Sequence, residues 1–176
     1  MFKDNTIKIY NIKNNTYQVL QTLNYYYDEV NKIIELTNKK LISCSHDSSI
    51  IIYSKDNNKY IKESDIKTVG RCWCIIQTKE NEICYNEPQN NSSICFYDLM
   101  KNKIINKINN IGVTNSQSFN MITKDLLLIY GRVKLYIINV NQHKLIRIMN
   151  VPDSSYFLTS CLLKKILFQL EMKIKK

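Results

Sequence analysis

An all-β fold of four-stranded antiparallel sheets packed side by side around an axis is what this sequence predicts, on two observations. One is a recurring phrase. Ile7-Lys8-Ile9-Tyr10 returns as Ile50-Ile51-Ile52-Tyr53, Ile94-Cys95-Phe96-Tyr97 and Val133-Lys134-Leu135-Tyr136, with tyrosines 43, 44 and 39 residues apart. A period of about 40 to 45 residues marks a stacked unit that cannot bury its apolar face alone. The other is rhythm. Short stretches rich in Ile, Val, Tyr, Phe and Thr come between clusters of Asn, Asp, Ser and Lys, which suits strands joined by tight turns. Together they predict a β-propeller.

With the phrase as third strand of each unit, the others follow. The second unit reads as Val30 to Leu36, Lys40 to Ser45, Ser49 to Ser54 and Lys59 to Glu63, with Asn- and Asp-rich turns between. The third reads as Cys72 to Gln77, Glu82 to Asn86, Ile94 to Asp98 and Lys103 to Ile108; Pro88 sits in its longer loop, where a proline is tolerated. The fourth reads as Gln117 to Ile122, Leu126 to Tyr130, Val133 to Ile138 and Lys144 to Met149, with a tight turn through Gly131-Arg132. Ahead of these lie only a third and a fourth strand, Ile7 to Ile12 and Thr16 to Leu23. Behind them, Tyr156 to Cys161 and Lys165 to Leu170 read as a first and a second strand, although Leu162, Leu163, Ile166, Leu167 and Leu170 also fit one helix face. The expected organisation is one domain over 1–176: a half blade at 1–24, blades at 28–64, 70–110 and 115–150, and a half blade at 154–172.

These units resemble the WD40 repeat family. Leu41-Ile42-Ser43-Cys44-Ser45-His46-Asp47-Ser48-Ser49-Ile50-Ile51-Ile52-Tyr53 is similar to that family's second strand, Asp-bearing turn and third strand. Asp4 to Asn11 repeats the turn and strand one unit earlier, and Tyr97-Asp98 stands where the family has Trp-Asp. Tyr replaces Trp in all four copies, the Gly-His pair is missing (Ile111-Gly112 keeps at most the glycine), and Asn91 and Gly131-Arg132 replace two turn aspartates. The family's His–Asp–Ser–Trp hydrogen-bond network is therefore not expected in full, and Asp4 and Asp47 are expected as turn residues. The resemblance implies about four blades or an incomplete ring. A part of a longer propeller is preferred to a four-bladed ring closed by a blade made from both ends.

Composition narrows the function. At 176 residues and 44% hydrophobic, the chain has material for a core. No apolar run approaches the ~20 residues of a spanning helix, and the polar strand pattern that starts at Met1-Phe2-Lys3-Asp4 leaves no room for a signal peptide. The expected compartment is the cytosol, or the nucleus. The net charge of +10 comes with only three arginines, no alanine and lysines scattered among acids such as Asp56, Glu63 and Asp65. Phosphate recognition concentrates charge on one face and favours Arg, so nucleic acid is not the expected partner.

Catalytic, cofactor and metal sites are not expected. His46 and His143 fall in turns, and no phosphate loop or nucleophile elbow is present. The six cysteines (Cys44, Cys72, Cys74, Cys84, Cys95, Cys161) lack the paired spacing of zinc ligands and read as small buried hydrophobes. Trp73 reads as a core anchor in an innermost strand. The expected function is a non-catalytic scaffold or adaptor that binds other proteins through its loops. Tyr25, Tyr26, Tyr27 and His46 are the candidate contact residues, with self-association through open blade edges as a further expectation. A basic surface for RNA or anionic membrane is the alternative, and a propeller hydrolase the third reading.

Overall fold

A computed structural model describes residues 4–13, 16–88, 92–112, 118–131 and 134–150. They form fourteen strands and no helix. Strands β1 (Ile7–Lys13) and β2 (Thr16–Leu23) make a two-stranded sheet. Three four-stranded meanders follow. The first holds β3 (Val30–Glu35), β4 (Leu41–Ser45), β5 (Ser49–Asp56) and β6 (Lys59–Lys67). The second holds β7 (Ile75–Lys79), β8 (Glu82–Glu87), β9 (Ser93–Asp98) and β10 (Lys103–Ile108). The third holds β11 (Ser118–Met121), β12 (Leu126–Tyr130), β13 (Lys134–Asn139) and β14 (Lys144–Asn150). In each the strands pair in sequence order, as short hairpin connections require. Expected strands beyond Asn150, and Asn91, Arg132, Val133 and Cys161, lie outside the described residues.

In β5 and β9 the recurring phrase is apolar on both strand faces because both faces meet a neighbouring sheet. Successive side chains alternate sides, so Ile51 and Tyr53 turn back onto Ile7, Ile9, Leu23 and Tyr26, while Ile50 turns forward onto Cys72, Ile75, Ile83 and Tyr85. One unit on, Cys95 and Tyr97 face back, and Ile94 and Phe96 pack forward with Phe119, Leu127, Ile129 and Tyr136. Leu128, Leu135 and Ile137 form the far face of the last sheet. The core is thus a series of seams.

Asparagine does much of the turning. Asn57 and Asn58, with φ of 45° and 63°, form the two-residue turn from β5 to β6; consecutive left-handed residues match the right-handed twist of the flanking strands. Each pair of third and fourth strands carries a bulge, leaving Leu20, Glu63, Ile105 and Ile146 as the extra residues on the fourth strand. A bulge increases local twist and blunts the outer edge, where three of these four are exposed apolar side chains.

The third unit departs from expectation. Its first strand starts at Ile75 and not at Cys72. Residues 72–74 are held by side-chain amides and a turn backbone instead. Asn86 Oδ1 accepts from the Trp73 and Cys74 amides at 3.1 and 2.9 Å, Asn31 Nδ2 donates to Cys72 O at 2.7 Å, and Cys72 N donates to Ser45 O at 3.0 Å.

Candidate interaction site

The connection from β2 to β3 carries Tyr25, Tyr26 and Tyr27 across the seam between the two-stranded sheet and the next, and the structure gives the three rings different roles. Tyr26 is only 5% exposed. Its hydroxyl bonds to Ser43 O at 2.9 Å and lies 2.6 Å from Ser43 Oγ, which in turn lies 3.4 Å from the Tyr53 hydroxyl. Burial pushes the Tyr26 phenol far above its ordinary pKa, and Tyr53 is raised for the same reason. Tyr26 is therefore a brace and not a surface contact, which corrects the expectation for that residue. A tyrosine–serine–tyrosine chain stands where the resemblance led us to expect an incomplete network.

Asp47 completes the brace. One carboxylate oxygen accepts from Ser49 N at 3.0 Å and from Ser49 Oγ; the other accepts from Tyr27 N at 3.0 Å. Ser45 Oγ donates to Asp28 O at 3.2 Å, and His46 N to Glu29 O at 2.9 Å. The inter-sheet loop is thus tied to the turn between β4 and β5 along its length. Ser48, with φ of 67°, takes the left-handed position of that turn.

Tyr25 is half exposed, with its ring 6.0 Å from that of Tyr53, whereas Tyr27 is 93% exposed. Beside them opens a cleft of about 500 Å³ lined by Tyr25, Tyr26, Tyr27, Asp47, Lys62 and Lys67, among others. Asp65 sits between Lys62 at 2.9 Å and Lys67 at 3.5 Å, and the Lys62 ammonium holds its carboxyl below the usual range. The two lysines of the cleft are thus balanced by Asp47 and Asp65. The surface is aromatic and close to neutral.

His46 lies apart from this cleft. Its side chain is largely buried, with Nδ1 3.2 Å from a Glu29 carboxylate oxygen and its ring edge-on to Trp73 at 4.2 Å. Trp73 is half-buried, just ahead of the innermost strand. His143 likewise bridges a seam: Nε2 is 2.9 Å from Glu82, and the ring is 4.3 Å from Phe96. Glu87 and Ser92, on either side of the longer loop of the third unit, are buried; Glu87 accepts from Val69 N and pairs with Lys107, so neither offers a contact surface. Cys44, Cys72, Cys74, Cys84 and Cys95 are free and buried. Among the described residues no three His, Cys, Asp or Glu side chains converge as a metal site, and no helix is long and apolar enough to cross a membrane.

Amide side chains across the seams were not foreseen. Gln21 makes two hydrogen bonds to the backbone of Tyr60 (2.6 and 2.8 Å), Gln77 pairs with Thr37 through two (2.9 and 3.0 Å), and Asn106 donates to His143 O at 3.1 Å. Their spacing of 37 to 40 residues follows the repeat, a signal the abundance of Asn and Gln concealed.

No family model and no curated protein matches the sequence. Among solved structures, the crystal structure of the WD40 beta propeller domain of Doa1 is similar, with a TM-score of 0.64 at 12% identity over 85% of this chain and 49% of that one. The fold is that of a partial WD40 β-propeller. The chain spans about half the length of that solved structure. In WD40 terms the three meanders are blades, with the first strand of each innermost, and β1–β2 is the outer half of another.

Proposed function

We propose that this chain is a non-catalytic protein-interaction module whose contact surface is the cleft beside Tyr25 and Tyr27. The observation that carries the reading is the contrast at Tyr27: its amide is fixed by Asp47 while its side chain is almost wholly exposed. A rigid aromatic presented from an immobilised backbone loses little conformational entropy on binding, and tyrosine is enriched among residues that dominate interface energies. The near-neutral cleft suits a protein surface better than a polyanion. Paired lysines elsewhere point the same way: Lys39, Lys40, Lys79, Lys101 and Lys107 each sit against a carboxylate.

The test is affinity capture with the wild-type chain and a Tyr25→Ala/Tyr27→Ala double variant in parallel. A partner recovered at fixed stoichiometry by the wild type and lost by the variant supports the proposal. Equal recovery by both, or none by either, removes this surface from consideration.

A further inference from the structure

We propose that the outer rim formed by β10 and β14 binds the surface of an anionic lipid bilayer. This goes beyond the Tyr25/Tyr27 surface and uses a different face. Charge is spread unevenly along the chain. Residues 1–98 hold twelve lysines and arginines against twelve aspartates and glutamates, a net charge of zero, whereas residues 99–150 hold eight against one, a net of +7. The scatter of lysines among acids therefore ends at Asp98, and the residues lining the cleft all fall in the neutral part. A compositional bias would raise lysine throughout, so an excess confined to one part of the chain calls for a local cause.

The four outermost strands make the comparison direct. Strand β2 carries no charged residue. In β6, Lys62 and Lys67 share Asp65, and Glu63 takes Lys40. In β10 and β14, by contrast, Lys103, Lys144 and Arg147 are exposed and have no carboxylate partner among the described residues. Isoleucines stand among them: Ile105, Ile146 and Ile148 are 37%, 55% and 44% exposed. The two strands are tied by Asn106 Nδ2, which donates to His143 O at 3.1 Å, one residue from Ile105 and one from Lys144. Cations and aliphatic side chains thus share one rim, and an exposed apolar patch of this kind marks an interaction surface.

That combination selects the occupant. Anionic headgroups attract the cations while aliphatic side chains enter the boundary with the acyl chains, so a bilayer uses both. Nucleic acid would use the cations alone. The rings on which bases stack are not offered beside them, since Phe119 and Tyr136 are buried and Tyr130 is half-buried. An acidic peptide that joined as a further strand would need a regular edge, and both edges are bulged, at Ile105 and at Ile146. A fluid surface needs no register. The complementarity is therefore of charge and apolar character together, without strand pairing.

The experiment is co-sedimentation of the 176-residue chain with vesicles of phosphatidylcholine alone or with about 30% phosphatidylserine. Binding should require phosphatidylserine and weaken as salt rises from about 0.1 M to about 0.5 M. Lys103→Gln/Lys144→Gln/Arg147→Gln should bind about 100-fold more weakly, at about fivefold per cation. Lys13→Gln/Lys55→Gln/Lys59→Gln, which loses the same charge elsewhere, should change binding by less than about threefold. Ile146→Thr/Ile148→Thr, which keeps β-branching, should bind about 10-fold more weakly. Hydrogen exchange on the wild type needs no variant: the amides of β10 and β14 should gain protection on the vesicles. No binding to phosphatidylserine vesicles, equal binding by the rim and control variants, tighter binding to polyuridylate or polyglutamate, or protection confined to other strands would each overturn the proposal. The Tyr25→Ala/Tyr27→Ala variant should bind vesicles normally, which separates this test from that of the cleft.

Discussion

Replacing Tyr26 by Phe isolates one hydroxyl at the centre of the brace. The ring stays, so no cavity opens, and the change reduces to hydrogen bonding. In the wild type the hydroxyl meets Ser43 O at 2.9 Å and Ser43 Oγ at 2.6 Å; without it, Ser43 Oγ keeps only the Tyr53 hydroxyl at 3.4 Å, near the limit of a useful bond. Leaving buried polar atoms without a partner costs about 1–3 kcal/mol, so a loss of about 2 kcal/mol is expected. Ser43→Ala should cost about 1–2 kcal/mol, and the double-mutant cycle should show coupling of about 1 kcal/mol, because both changes break one contact. Tyr25→Phe, on the exposed neighbour, should stay within about 0.5 kcal/mol. Urea unfolding measures all four, provided the denaturant slope is unchanged. A Tyr26→Phe protein as stable as wild type, or a cycle with no coupling, would show that the brace is geometry without energy.

Three further outcomes are expected. Burial raises Tyr26, Tyr53, Tyr85, Tyr97, Tyr136, Cys72, Cys74 and Cys84, and pushes Cys95 up to about 12. The folded chain then keeps protons that the unfolded chain sheds, so stability is full below about pH 8.5 and falls as pH rises, which urea midpoints between about pH 7 and about pH 10.5 will read. The buried thiols Cys44, Cys72, Cys74, Cys84 and Cys95 should resist a thiol reagent in the native protein and react at a rate set by unfolding. Glu82 is buried and accepts from Thr78 at 2.7 Å, from Lys79 at 3.3 Å and faces His143 at 2.9 Å across a seam; Glu82→Gln should cost about 1–2 kcal/mol by urea unfolding, since the amide loses one acceptor and brings unneeded donors.

The blades were legible because burial on two faces forces an unbroken apolar run, and Ile50 to Tyr53 or Ile94 to Tyr97 can be little else in a chain so rich in Lys and Asn. Strand ends in the second and fourth units fell within a few residues of the expected ones for the same reason. The start of the third unit misled because Cys72-Trp73-Cys74 is apolar in alternate positions, like a strand, while its backbone is satisfied by Asn86, Asn31 and Ser45. Hydropathy does not record hydrogen bonding. The site was half legible: three adjacent tyrosines mark the loop, but which one turns inward depends on Ser43, 17 residues away in β4. Only the Tyr26–Ser43 register, fixed by tertiary packing, separates the brace from the exposed pair.

That register also explains how the fold accommodates tyrosine in place of tryptophan. A phenol is shorter than an indole and carries its polar atom at the tip, so its partner must come from whichever element lies at that depth. Tyr53 finds Ser43, Tyr97 finds Asn102 in the following turn, and Tyr136 finds Gly112 O at 3.2 Å in the loop before its blade. Three blades give three solutions, so the recurring tyrosine is conserved in position by seam packing and not by a common hydrogen bond. The fourth copy follows from the same reasoning. Among the described residues Tyr10 has the position without a preceding sheet, and it is 48% exposed where its three counterparts are buried.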